Sequence, residues 1–187
     1  KQLNDLIYYL NLKKLNIVGF SIGALIAQHF ATQYPNKIEK LVLIGSIFQR
    51  NKKQIYKVKS RFIKSEKGFS ISDNSIKRWF NDYYIKKNPN IYNFFFKLLE
   101  RNKTSDFIPA YKVFVEADKY KLNLNKINMP TLIMTGENEV GSTKLMNQKL
   151  HKKIQNSELH IIKSSKHGVT IEKASEINKK ISNFLFI

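Results

Sequence analysis

The sequence predicts an α/β fold, a parallel sheet flanked by helices and interrupted by an inserted helical stretch. Three observations carry this. Short apolar, strand-like runs alternate with helically spaced runs at both ends of the chain. The middle, residues 49 to 106, holds no strand-like run and is rich in Lys, Asn and aromatic residues. Finally, Gly19-Phe20-Ser21-Ile22-Gly23 sits where the first strand-like run meets the next helix-like run.

In order along the chain, residues 2 to 12 place Leu3, Leu6, Ile7 and Leu10 at helical spacing. "LNIVGF" (15 to 20) reads as a short buried strand, and "IGALIAQHFATQYP" (22 to 35) as a helix stopped at Pro35. "KLVLIGS" (40 to 46) is a second buried strand ending near Gly45. Within the middle stretch, 70 to 87 predicts a helix with Ser72 or Asp73 as its N-cap. A further helix is predicted over 89 to 101, with Pro89 in its first turn, and another over 106 to 120 returns towards the core. The α/β rhythm then resumes: a strand over 129 to 136, a helix over 143 to 154, a strand over 157 to 165 and a terminal helix over 170 to 187. The domain boundaries expected from this rhythm are a first core part at 1–48, a helical cap at 49–106 and a second core part at 107–187.

Composition narrows the function. The chain has 187 residues, enough for one domain with a sizeable core, and no apolar run near the roughly 20 residues that cross a bilayer. It contains no cysteine, which excludes disulfides, thiolate catalysis and Cys-ligated metal. The net charge of +19 raises the question of nucleic acid. Only four of the 33 basic residues are arginines, however, which leaves 29 lysines spread along the whole chain. Arginine is the preferred reader of phosphate and guanine, so the charge reads as solvated lysine faces and no specific nucleic-acid partner is expected. The chain opens on Lys1 with no basic-then-apolar leader and reads as a cut; the expected location is cytoplasmic.

A serine between two glycines at a strand–helix junction has a steric logic. The turn is strained, the glycines let strand and helix approach, and the hydroxyl projects above the sheet. The backbone N–H of Ile22 then lies at a helix N-terminus, where negative charge is favoured. A serine nucleophile needs a base and an orienting acid. Of His29, His151, His160 and His167, only His167 falls on a loop between the last strand and the last helix, the location where ligands collect in open α/β sheets. His29 lies in the helix after Ser21, His151 in a Lys-rich helix expected to be solvated, and His160 within a strand. The acid is expected between Ser and His at the end of another strand. Glu139 is the first choice and Glu137 the reserve.

With those residues in place, the chain resembles the α/β-hydrolase fold family, of the serine esterase and enol-lactonase-like kind. The likeness rests on "VGFSIGALIAQHFATQYPNKIEKLVLIGS", "MPTLIMTGENEVGS" and "SSKHGVTIEKASEINKKISNFL". It covers both ends of the chain, with 49 to 106 matching only as a variable helical cap. The resemblance implies that Ser21 is the nucleophile of the elbow, Glu139 the acid, at a position where Asp is usual, and His167 the base. It also implies that four or so strands, and a His-Gly oxyanion loop, belong ahead of the part seen here. On these residues alone Ile22 is the one oxyanion donor, and "LNIVGF" stands as an apolar sheet edge.

The expected function is hydrolysis of a carboxylic ester or lactone through a Ser-His-Glu triad and an acyl-enzyme, with no metal and no organic cofactor. The alternatives are an acyltransferase or carbon–carbon bond hydrolase on the same triad, and a non-catalytic binding protein that keeps the fold. Relatives that open epoxides or remove halide use Asp where Ser21 stands. The expected partner is a small ester or lactone, with the oligomeric state open. Trp79, Phe80, Tyr83, Phe94 and Phe95 are the aromatic residues from which an acyl pocket could draw, and Lys86 and Lys87 the lysines that could attract an anion.

Overall fold

Among the described residues four parallel strands, β1 (Leu15–Phe20), β2 (Ile38–Ile44), β3 (Thr131–Gly136) and β4 (Ser157–Ile162), lie side by side in that order, the middle two largely buried and the outer two only in part. The computed structural model describes residues 1–68 and 70–186. Helix α1 (Gln2–Tyr9) precedes the sheet and α2 (Ile22–Gln33) joins β1 to β2. Among the described residues five α-helices stand between β2 and β3: α3 (Lys52–Glu66), α4 (Ser72–Trp79), α5 (Asp82–Lys87), α6 (Pro89–Glu100) and α7 (Thr104–Val115). Helix α8 (Lys144–Lys153) crosses from β3 to β4, and α9 (Val169–Glu172) and α10 (Ala174–Phe186) follow β4.

Period-two side-chain alternation divides the interior into two cores. Leu41 and Leu43 of β2 and Ile133 of β3 face Ile7, Ala27, Phe30 and Leu150 on the side of α1, α2 and α8. Val42 and Ile44, with Leu132 and Met134, face Ile162, Val169 and Ile177 on the side of α9 and α10. Leu41, Leu43, Leu132 and Ile133 are all fully enclosed, so the central strands are held from both sides. Among the described residues β1 pairs only with β2, and Val18 on that outer strand is 47% exposed.

Several elements depart from the sequence expectation. The helix predicted over 70 to 87 is two helices, because Phe80 leaves α4 in an extended conformation (φ −122°, ψ 149°). Its ring, 1% exposed, packs on Phe95 and Tyr84, a gain that outweighs continuing the helix. The terminal helix breaks at Lys173 into α9 and α10, and its predicted last residue, Ile187, lies outside the described residues. The helix predicted over 106 to 120 begins at Thr104 and ends at Val115, with a short 3-10 turn at Ala117–Lys119. Arg50 fastens that end: it pairs with Asp118 at 2.6 Å and donates to the carbonyls of Phe114 and Val115. Helix α3 starts with a capping box, in which Asn51 and Gln54 exchange side-chain and backbone hydrogen bonds of 2.8 and 2.9 Å. Among the described residues no helix is long and apolar enough to cross a membrane.

Candidate active site

All four parallel strands point their C-terminal ends to one rim of the sheet, and the residues singled out from the sequence follow those ends. Ser21 comes directly after β1. Its φ of 55° and ψ of −117° are costly for a side-chain-bearing residue, and its N–H is held by the carbonyl of Ile44 at 2.9 Å. The glycines beside it differ in role. A Cβ on Gly19 would lie 2.5 Å from the Gly23 carbonyl oxygen and 2.8 Å from Ala24 Cα, so strand and helix touch backbone to backbone there. A Cβ on Gly23 would meet nothing within 4 Å, so close approach requires glycine only at 19. Ile22 opens α2, and its N–H has no acceptor within the helix.

The structure brings Ser21, His167 and Glu139 together. His167 Nε2 lies 3.0 Å from Ser21 Oγ, and His167 Nδ1 lies 2.5 Å from Glu139 Oε2. The other oxygen of Glu139 accepts the Gly141 N–H at 2.5 Å. The Glu139 side chain is 1% exposed and that of His167 18%. Burial pushes the Glu139 carboxyl up; the hydrogen bond and charge of His167, with the N–H groups of Gly141 and Ser142, outweigh it and leave the carboxyl below its ordinary value. Phe20 packs against the imidazole, 5.1 Å between ring centres.

Glu137, the reserve acid, is exposed and accepts the Ser164 N–H at 3.2 Å instead. The remaining histidines stand apart from this group. His29 is exposed beside Tyr120, and His160 pairs with Glu176 at 2.8 Å. His151, expected to be solvated, is half-buried with Nδ1 2.9 Å from Ser157 Oγ. Among the described residues no cluster of three or more His, Asp or Glu side chains is placed to hold a metal ion.

Ser21, Glu139 and His167 open onto a cavity of about 300 Å³. Of the five aromatics from which its wall could draw, Trp79 lines it. Phe80 and Phe95 pack the helices together, and Tyr83 and Phe94 are 69% and 60% exposed. The rest of the aromatic wall comes from α7, through Phe107, Tyr111 and Phe114. Sequence reasoning missed these three, although their spacing of four and then three residues marks one helix face. Lys86 and Lys87 are exposed and do not line the cavity, whereas Arg61 and Arg78 do.

The His167 loop is tied to this wall. Gly168 donates its N–H to the Trp79 carbonyl at 2.6 Å, and Glu172 accepts the backbone N–H groups of Lys166 and Asn81. A Cβ on Gly168 would collide with the Phe80 ring and approach the Trp79 oxygen to 3.0 Å, so the contact between loop and helix depends on glycine.

A parallel sheet with a serine on a strained turn after one strand and a histidine after the last, and with helices inserted between, is the α/β-hydrolase fold. Solved structures share it. The enol-lactonase from Burkholderia xenovorans superposes on 100% of this chain and 71% of its own, with a TM-score of 0.86 at 20% identity. Within this superfamily the chain belongs to the Ndr family, whose profile matches residues 1–186. In sequence it is similar to two Acinetobacter baylyi proteins. One is (E)-2-((N-methylformamido)methylene)succinate hydrolase, 24% identical over 97% of this chain and 68% of the relative. The other is 3-oxoadipate enol-lactonase 2, 20% identical over 94% of this chain and 65% of the relative. The chain thus spans about two thirds of the length of these curated relatives.

Proposed function

We propose that the protein is a serine hydrolase that cleaves a carboxylic ester or lactone. The observation that carries this reading is the unbroken run from Ser21 Oγ to His167 Nε2 at 3.0 Å and from His167 Nδ1 to Glu139 Oε2 at 2.5 Å. An ionised Glu139 accepts from Nδ1–H and so leaves the lone pair of Nε2 free to take the serine proton. Ser21 Oγ attacks the carbonyl carbon as its proton passes to Nε2, and the carbonyl oxygen becomes an oxyanion facing the Ile22 N–H at the start of α2. The imidazolium, stabilised by Glu139, returns the proton to the leaving alkoxide as the C–O bond breaks. Water then attacks the acyl-serine with His167 as base, which releases the acid and restores Ser21.

The proposal extends to acid choice and turn. Glu139 rather than Glu137 is the orienting acid, and Gly19 is the glycine that lets the elbow close. The test is labelling with a fluorophosphonate probe, with the adduct located by mass spectrometry. The expected result is an adduct on Ser21 that is lost in His167→Ala. A chain shown by circular dichroism to be folded, yet unlabelled at Ser21, would remove the hydrolase mechanism.

A further inference from the structure

The chain writes its positive charge as lysine almost everywhere, so the few arginines stand out. Arg50 is accounted for by Asp118 and the end of α7, and Arg101 is exposed at the end of α6. The other two, Arg61 of α3 and Arg78 of α4, both line the cavity that holds Ser21 and His167. Among the described residues neither makes an ion pair; Arg61 Nε donates to Tyr111 Oη at 3.4 Å. Arg78 is half-buried, and burial together with the neighbouring Arg61 charge holds it below its ordinary value, against the smaller opposing pull of Tyr111 and of Glu139, whose carboxylate is already engaged by His167 and Gly141. Two like charges on one largely apolar wall repel each other and lose hydration, an arrangement that costs stability unless an anion joins them. Ser142 Oγ, fully buried on the same cavity, likewise has no hydrogen-bond partner among the described residues.

We infer that the Arg61–Arg78 pair is a recognition site for a carboxylate carried by the substrate, so that the ester or lactone cleaved at Ser21 is an anionic one. The inference about substrate rests on the hydrolase reading; carboxylate binding itself does not. A planar guanidinium meets a carboxylate through two parallel N–H···O bonds, which the ammonium of lysine cannot do, and this gives a reason for arginine here in a chain that otherwise uses lysine. A cavity of about 300 Å³ suits a small acid of four to six carbons, with the aromatic wall against its methylenes.

Two measurements separate the ideas. In the first, glutarate is titrated into the protein and followed by the fluorescence of Trp79, the one tryptophan, which lines the same cavity. Glutarate is expected to bind saturably and its neutral dimethyl ester not to. Arg61→Gln and Arg78→Gln are each expected to weaken glutarate by about 10- to 100-fold, Arg78→Lys to recover part of that loss, and Arg101→Gln to behave as wild type. In the second, kcat/KM is compared for mono-p-nitrophenyl glutarate and p-nitrophenyl butyrate; the ratio is expected to favour the anionic ester and to fall with either Gln substitution. Failure of glutarate to bind wild type, or equal binding by the Arg61→Gln/Arg78→Gln double variant, overturns the inference. Glutarate binding as expected without turnover or Ser21 labelling keeps the carboxylate site and removes the hydrolase reading. Equal turnover of both esters without glutarate binding does the reverse.

Discussion

Glu139→Gln tests the proposed triad more sharply than any truncation. Glu139 is asked to accept twice: one oxygen takes the Gly141 N–H at 2.5 Å and the other takes His167 Nδ1–H at 2.5 Å. Glutamine keeps the shape but has one acceptor and one donor. If its oxygen stays on Gly141, its NH2 faces Nδ1 and forces the proton of the imidazole onto Nε2, where it blocks transfer from Ser21. If its oxygen turns to His167, the NH2 faces the Gly141 N–H in a site where the side chain is 1% exposed. The first arrangement is the cheaper, because only it leaves no donor facing a donor, so the wrong tautomer dominates. Removing the charge of such an acid costs about 10⁴ in turnover, and exchanging hydrogen bonds to a buried carboxylate for neutral ones costs about 1–3 kcal/mol of stability. The assay is the rate of fluorophosphonate labelling and kcat on p-nitrophenyl butyrate, with Glu137→Gln as the unaffected control. Labelling by Glu139→Gln within tenfold of wild type would refute the argument. Stability gives a second readout. The folded carboxyl lies below the ordinary 4.5, so its contribution is complete above that pH and is lost as pH falls through the folded value. The difference in Tm between wild type and Glu139→Gln is therefore expected to be full above pH 4.5 and to shrink as pH falls below it.

The other expectations concern glycines. Gly19→Ala places a methyl against the Gly23 carbonyl and is expected to unfold the elbow, with loss of labelling and a marked fall in Tm. Gly23→Ala, with open space around its Cβ and a helical backbone, is expected to raise stability by about 0.5–1 kcal/mol in denaturant melts. Gly168→Ala drives a methyl into Phe80 and Trp79 and is expected to slow Ser21 labelling by shifting the His167 loop; an unchanged rate would mean that loop and helix move independently.

The central strands were legible because burial on both faces demands unbroken apolar runs such as Leu41–Ile44 and Leu132–Met134. Ser21, Glu139 and His167 could be chosen because parallel strands put all their exits on one rim, which turns a three-dimensional question into one of chain order. What stayed hidden depends on packing between distant segments. Phe80 breaks its helix to meet Phe95 and to sit under Gly168, and nothing within 70 to 87 announces that. The difference between Gly19 and Gly23 is likewise invisible in a motif that treats them alike. Arg61 and Arg78 are 17 positions apart on separate helices, and only the fold places them on one cavity. Their scarcity among lysines was the available signal.

Part of the strain in the backbone has the same address as the chemistry, the rest lying at Asn11 and Gln49. Ser21 follows β1 at φ 55°, Gly45 follows β2 at φ 61°, and Ser164 lies two residues beyond β4 at φ 51°. β3 ends on Gly136, whose Cβ would strike the carbonyls of Ser165 and Lys166. Every strand thus leaves the sheet through a position that glycine would occupy most cheaply, and two of the four are serine. At about 1–3 kcal/mol each, such residues persist only where something opposes relaxation. For Ser164 the opposing contacts are on its backbone: Glu137 accepts its N–H at 3.2 Å and Asn81 donates to its carbonyl at 2.6 Å. Those bonds would survive replacement by glycine, so the hydroxyl has no part in them. At Ser21 the backbone is held by Ile44, and the side chain has a partner of its own in His167 across the cavity mouth. Strain alone therefore does not single out a nucleophile. Among the four exits, Ser21 is the strained residue whose side chain has a partner on an enclosed volume, which is the ground for proposing it, and not Ser164, as the nucleophile.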